Sequence, residues 1–270
     1  MEIKDRAFVS FDGYCPYKCK HCFSFEIERT SMPRTIEQIV DSLSSAIFDV
    51  VYVSQRKENF IDADNGLLLC EKLFSKYACS IVIITRNVFN HDQINRLLLL
   101  QKRMQQEGKF LFVGVSVIGL ESSTVSEDLS IIPTPDKRIE FATTLHGLGI
   151  PALVMIRPLF PKLIIPSHEW KRIIDRVAGS ISCVLSGPLM VNDQILKRLG
   201  IASSDATLLS NANSEYLDGA MAENMKTVDV RQELEELSNY CSLKGVPFFT
   251  HSLPAINYLA RLISLDNSLI

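Results

Sequence analysis

The sequence predicts an α/β fold built on a parallel β-sheet, and three observations carry that prediction. Short apolar runs alternate with segments of helical period six times before residue 190. The runs are rich in β-branched residues, whereas the intervening segments carry apolar stripes at spacings of three and four. No Gly/Ser linker, low-complexity tract or internal repeat interrupts the alternation, so residues 1–190 read as one core and 191–270 as an extension packed on it. A sheet buried on both faces by helices is either doubly wound or curved into a barrel, and in both cases ligands sit at the carboxyl ends of the strands.

The elements follow in order. Strands are expected at Ala7–Phe11, Val50–Ser54, Ser80–Thr85, Phe110–Val117, Pro151–Ile156 and Ile181–Leu185. Helices are expected at Thr35–Ala46, with Ile36, Ile39, Val40 and Leu43 on one stripe, and at Gly66–Tyr77. Further helices are Asp92–Glu107, stopped by Gly108, then Asp136–Leu145, closed by Gly147 and Gly149, and His168–Ala178. Beyond Pro188 the pattern loosens: residues 201–226 are small and polar, a candidate lid, followed by a helix at Val230–Lys244, a strand at Val246–Thr250 and a helix at Ala255–Leu265.

Composition bounds the function. Hydrophobic residues are 47% and charged residues 22%, enough for a sizeable core. A net charge of −3 gives no reason to expect nucleic acid or an anionic membrane as partner. The apolar stretch from Leu111 to Leu120 is too short to span a bilayer, which needs roughly 20 residues, and MEIKDRAFVSFDG carries no signal core. Seven cysteines, an odd number with three in eight positions, do not resemble a secreted disulfide framework, so a reducing cytoplasm is expected.

Those three cysteines stand in Cys15-Pro-Tyr-Lys-Cys19-Lys-His-Cys22, directly after the first strand. Thiolates hold iron–sulfur clusters, and three of them leave one iron of a [4Fe-4S] cubane open to another ligand. Chance would give this spacing in roughly 0.5% of sequences with as many cysteines. A Cys3His zinc site using His21 is the competing reading, disfavoured because His21 and Cys22 are adjacent. Cys70, Cys79, Cys183 and Cys241 form no CxxC pair and read as structural. His91, His146, His168 and His251 are scattered and are assigned no chemistry, and Trp170 reads as core.

The spacing, with aromatic His21 before the third cysteine, resembles the CX3CXφC signature of the radical S-adenosylmethionine superfamily. From Cys15 to about Pro188 the order of motifs is similar to its spore photoproduct lyase-like branch: ITRN at 84–87, GVSV at 114–117, IIPTPDKR at 131–138 and GIPALVMIRPLFP at 149–161. The resemblance implies a partial (β/α)6 TIM-like barrel with a short C-terminal helical/strand extension. It implies a [4Fe-4S] cluster on Cys15, Cys19 and Cys22 that cleaves S-adenosylmethionine to a 5′-deoxyadenosyl radical, which abstracts hydrogen from an organic substrate. It also implies an external electron donor such as flavodoxin or ferredoxin, and leaves room for a partner protein.

Carried across, the resemblance gives the cofactor Ser54, Arg86 and Ser116, beside His21 of the signature; Arg138, and Arg157 at a strand's carboxyl end, are further cations expected to bind it. The branch usually has Lys where Arg86 stands. Arg138 opposes the dipole at a helix start and so implies an anionic partner, either the cofactor carboxylate or a buried acid. Glu121, also after a strand, is a further candidate for a cofactor contact. Two departures stand out. Where many members carry Gly-Gly-Glu, this chain reads Ser54-Gln55-Arg56-Lys57-Glu58. The hydrogen-donating cysteine of spore photoproduct lyases is replaced by Tyr52, a weaker catalytic candidate, so thymine-lesion repair is not expected. The alternative outside enzymes is a non-catalytic zinc- or cluster-binding scaffold.

Overall fold

The computed structural model describes residues 3–26, 33–54, 57–202, 208–211 and 225–266. Seven parallel strands lie side by side: β1 (Arg6–Val9), β2 (Val50–Val53), β3 (Ser80–Thr85), β4 (Leu111–Ser116), β5 (Ala152–Leu159), β6 (Cys183–Pro188) and β10 (Phe248–Phe249). A doubly wound sheet reverses its strand order once. Here the order is strictly sequential, the order of a barrel, and the sheet stays open between β1 and β10. The strand at the far end comes from the C-terminal part of the chain and pairs with β6 through Phe248 and Phe249.

Side chains alternate across a pleated strand, so each strand serves two cores. Val51, Val53, Ile81, Ile83, Val113, Val115, Val154 and Ile156 pack outward against the helices. These are α1 (Ile36–Asp41), α2 (Ala63–Tyr77), α3 (His91–Gln106), α4 (Pro135–Gly147) and α5 (Ser167–Val177). The other set, Val50, Tyr52, Val82, Phe112, Leu153, Met155, Cys183 and Leu185, forms a second cluster on the opposite face. That cluster is completed by Ala255, Ile256, Leu259 and Ala260 of the last helix, α8 (Ser252–Asp266). The C-terminal helix thus fills the inside of the open barrel.

Capping chemistry fixes several helix starts. Thr35 with Gln38, and Asn90 with Gln93, make reciprocal capping boxes, while Asp62 accepts from Asn65 at the start of α2. The expected helix Thr35–Ala46 stops at Asp41, because Ser42 folds its hydroxyl onto the Ile39 carbonyl and the chain turns through a run of serines. Strand β5 runs past its expected end at Ile156 to Leu159, with a register shift against β6 after Ile156. Gly66 lies against the Phe60 ring, whose Cδ1 would stand 2.4 Å from an added Cβ.

A small antiparallel sheet sits beside the main one: β7 (Met190–Val191), β8 (Leu208–Asn211) and β9 (Lys226–Val228), with β9 in the middle. Helix α6 (Asp193–Leu199) follows β7, starting at the Asn192 cap and ending at Gly200 with φ 69°. Helix α7 (Arg231–Leu243) leads to β10. The candidate lid at 201–226 falls for the most part outside the described residues. No helix among the described residues is long and apolar enough to cross a membrane.

Two polar contacts stitch α8 to the N-terminal edge. Asn257 Oδ1 accepts from the Ile3 backbone N–H at 2.8 Å and its Nδ2 donates to the Ile3 carbonyl at 3.1 Å, the pattern a neighbouring strand would supply. Arg6 Nη1 donates to Ser252 Oγ at 3.0 Å. Replacing Asn257 by Ala removes two hydrogen bonds at this seam, and Asn257→Ala is expected to lower unfolding free energy by about 1–3 kcal/mol. A urea denaturation series with an unchanged slope and a lower midpoint is the expected outcome.

Candidate functional site

The loop between β1 and α1 carries the three cysteines to the carboxyl ends of the strands. Cys19 is buried, and Cys15 and Cys22 are half-buried, packed with Tyr17 and Ile132 in a small satellite cluster. Inside the loop the Cys22 N–H bonds to the Cys19 carbonyl at 2.9 Å, and Lys18 adopts a left-handed φ of 44°. Ser126, after β4, anchors the loop from one side: its carbonyl accepts from Lys20 N at 2.9 Å and its hydroxyl from His21 N at 3.3 Å.

His21 is buried, its ring edge-on to Phe160. Arg86 Nη2 donates to its Nε2 at 3.3 Å, which leaves Nδ1 as the protonated nitrogen facing the Ser126 hydroxyl. Burial, reinforced by the Arg86 cation, pushes its pKa down to about 3, so the ring is a neutral imidazole. With both ring nitrogens engaged by protein groups, His21 is not poised as a metal ligand. Among the described residues no three Cys, His, Asp or Glu side chains converge on a point that would hold a single metal ion. A cubane gives each thiolate a separate iron and asks for no such convergence.

Arg86 sits just past the end of β3. Its Nε pairs with Glu127 Oε1 at 2.9 Å, and its own N–H donates to Glu58 Oε2 at 2.6 Å. Glu127 is fully buried and also takes Arg138, with Nη2 to Oε2 at 2.5 Å and Nη1 to Oε1 at 3.2 Å. Arg138 Nη1 in turn donates to the Ser116 carbonyl at 2.7 Å. Of the two anionic partners considered for Arg138, the structure supplies the buried acid, and Arg138 lines neither cavity described below.

Two cavities share a wall made by His21, Cys22, Ser54 and Arg86. The mouth cavity, about 450 Å³, is lined by all three cysteines with Lys57, Glu58 and Thr85. The inner cavity, about 200 Å³, lies within the barrel between a polar rim and an apolar floor. Its rim holds Ser54, Arg86, Ser116 and Arg157, and its floor includes Tyr52, Gly114, Met155, Leu185 and Ile256. The Ser116 hydroxyl is buried there and has no hydrogen-bond partner among the described residues. The Arg157 guanidinium lies over Gly187, where an added Cβ would stand 3.2 Å from its Nε.

Sequence reasoning therefore brings together Cys15, Cys19, Cys22, His21, Ser54, Arg86, Ser116 and Arg157, and Tyr52 lies directly below them. Glu121 is corrected: its side chain is 76% exposed and pairs with Arg172 at 2.9 Å, facing solvent. Trp170 and the other four cysteines are buried, as expected. Sequence reasoning passed over Glu58, Ser126, Glu127 and Arg198. Glu58 accepts from Thr85 Oγ1, Phe60 N and Arg86 N, yet burial outweighs these bonds and raises its pKa. Its signal was available, since it is the acid in the stretch that departs from Gly-Gly-Glu. The other three lie in segments without a motif.

The residues present suit a group held by three thiolates. Burial pushes the Cys19 thiol up to about 12 and raises that of Cys22, so without a metal both are neutral. Deprotonation on binding a cationic centre would be assisted by Arg86 close by.

Glu127 makes the site sensitive to acid. Burial alone would raise its pKa, but Arg138 and Arg86 overcome that and hold it below the usual carboxylate value. A depressed native pKa gives stability that is present above the unfolded value, near 4.3, and is lost as pH falls through the native one. Glu127→Gln leaves two cations without a counter-charge and is expected to cost roughly 3–5 kcal/mol at neutral pH. The same variant should lose part of the wild-type acid-side slope in urea melts between pH 5 and the acid limit, about where free glutamate titrates.

No family model matches the sequence, and no curated protein matches it. Solved structures do resemble it in fold. A spore photoproduct lyase double mutant with bound AdoMet and dinucleoside spore photoproduct superposes with a TM-score of 0.62 at 10% identity, over 90% of this chain and 76% of that one. SuiB from Streptococcus suis gives a TM-score of 0.53 at 15% identity, over 92% of this chain and 49% of that one. SuiB bound to S-adenosylmethionine gives 0.52 at 15% identity, over 92% and 47%. The chain has the open-barrel α/β fold of these proteins.

Proposed function

We propose that this chain is a radical S-adenosylmethionine enzyme acting on an organic substrate. One observation carries the reading: three thiols of one loop, at the carboxyl ends of parallel strands, line a cavity whose wall opens on a barrel interior with a polar rim. The fold shared with structures holding AdoMet supports it at the level of class.

On this reading Cys15, Cys19 and Cys22 hold a [4Fe-4S] cluster, and His21 packs beside it as a neutral, non-ligating ring. Arg86 offers a guanidinium to the cofactor's carboxylate, while Ser54 and Ser116 offer hydroxyls to its polar groups. Arg138 acts at one remove, by fixing Glu127 and the Ser116 carbonyl. Held by Cys15, Cys19 and Cys22 and reduced by an external one-electron donor, such a cluster would supply one-electron reduction of the cofactor's sulfonium, the source of a 5′-deoxyadenosyl radical able to take hydrogen from substrate. The chain's own contribution is containment. The floor of Met155, Leu185 and Ile256 keeps water from the reacting atoms, and Arg157 stands at the rim as an anion-binding group. Tyr52, buried beneath the rim and packed in the inner core, is the weaker catalytic candidate, its phenol a group able to exchange hydrogen.

Anaerobic reconstitution with iron and sulfide is expected to give brown protein that releases 5′-deoxyadenosine from S-adenosylmethionine once reduced. Cys19→Ala is expected to bring that release to background while leaving the fold intact by circular dichroism. Colourless protein binding one zinc per chain would refute the reading.

Loading should depend on pH in a definite direction. Ligation requires thiolates, and burial holds the Cys19 thiol up to about 12, so protons leave as the cluster binds. The yield of reconstituted cluster is therefore expected to rise from pH 7 to pH 9, measured by iron and sulfide content per chain.

A further inference from the structure

We propose that Arg198, on helix α6, is a positioning residue that clamps the cysteine loop and raises the reduction potential of the cluster it holds. The inference rests on the reading just given for the loop. It begins from an interaction across 176 residues of chain: Arg198 Nη2 donates to the Cys22 carbonyl at 2.9 Å. Its Nε donates to the Lys20 carbonyl at 3.0 Å. The loop is thus held from two directions. Ser126 receives the N–H groups of Lys20 and His21, and Arg198 supplies donors to the carbonyls of Lys20 and Cys22. The Lys20–His21 and Cys22–Phe23 peptide units are thereby held by groups outside the loop, while the Cys22 N–H bonds within it to the Cys19 carbonyl.

The platform that carries Arg198 is itself anchored. Ile195, Leu196 and Leu199 of α6 are buried, Asn192 caps its start at 2.9 Å, and Gly200 ends it in the left-handed region. The chemistry of the side chain matters as well. A guanidinium presents a planar fork of fixed donors and can bind two carbonyls at once, whereas lysine's ammonium is a single point on a flexible stem. The fork also brings a permanent cation to the backbone of a cluster ligand. Reduction adds one negative charge to the cluster, so a nearby fixed cation favours the reduced state. Arg198 therefore bears on both position and potential from outside the loop.

The test uses the full chain in two variants, Arg198→Met, which removes charge and fork, and Arg198→Lys, which keeps the charge and loses the fork. Midpoint potentials come from redox titrations of reconstituted protein followed by electron paramagnetic resonance, with iron content measured alongside. The proposal expects a lower midpoint in R198M and a smaller shift in R198K. R198M carrying full iron at the wild-type midpoint overturns it. Amide exchange in the metal-free chain tests the clamp separately: both variants should exchange faster over residues 20–23, and unchanged exchange there overturns the clamp. Loss of cluster uptake in R198M, with uptake kept in R198K, supports it. If the wild type takes up no iron–sulfur cluster, the function proposed above fails, and the exchange result alone decides whether Arg198 holds the loop.

Discussion

Everything at the carboxyl face hangs on one buried carboxylate. Glu127 lies between Arg86 and Arg138 with no exposure of its own side chain. Taking three charges out of water is costly, and the arrangement persists because each charge meets several partners. Arg138 Nη1 donates to the Ser116 carbonyl as well as to Glu127, and Arg86 keeps 20% of its side chain exposed toward the cavities. The two cations share the one acid, and Arg86, the one of them that lines the cavities, lies beside the buried thiols. Burial strengthens these charge pairs because little water competes for them. The adjoining Ser126 carries the same network into the backbone of the cysteine loop, so strand ends, helix α4 and loop are set by one ionic knot.

The fold explains why such a knot can exist. Alternation along a strand sends every second residue inward, and the inward set changes character toward the carboxyl ends. Tyr52 precedes Ser54, Ile84 precedes Arg86, Gly114 precedes Ser116 and Met155 precedes Arg157. In each pair the earlier residue lies in the floor and the later in the rim. A one-residue register shift would turn both members of each pair outward, and the outward core of Val51, Ile83, Val115 and Val154 forbids that shift.

Much of this was legible in the sequence. Strand positions came from β-branched runs whose burial on both faces leaves little ambiguity of register. The cysteine loop came from its spacing, Arg157 from its place at a strand end, and Ser54, Arg86 and Ser116 from the family resemblance. What escaped was whatever depends on contacts distant along the chain. Arg138 could be seen to need an anion, but nothing local distinguishes Glu127 from the exposed Glu121, six residues earlier. That difference lies in which side of a turn faces the barrel. Arg198 sits in a helix whose only sequence signature is an Asn cap and a terminal Gly, and its partners are backbone carbonyls, which carry no residue identity. The topology of the C-terminal part was hidden for the same reason. Helix α8 reads as an ordinary amphipathic segment, and only its packing on Tyr52, Phe112 and Leu185 makes it the filling of the barrel.

That filling bears on chemistry as much as on stability. An open seven-stranded sheet leaves a gap between β1 and β10, and its interior would be wet if nothing occupied it. Helix α8 removes water from the lower interior with Ala255, Ile256 and Leu259, and leaves about 200 Å³ beneath the polar rim. Whatever occupies the space below the rim then meets aliphatic side chains and the Tyr52 ring, with little bulk water beside it. Gly114 adds to the same end from the opposite wall. An added Cβ there would lie 2.8 Å from Met155 Sδ, so the bare backbone at this point is what keeps the interior open. The size of the space is thus fixed from two sides by small residues, Ala255 on the helix and Gly114 on the strand. A compact, largely apolar group fits that space, beneath a rim that carries Arg157.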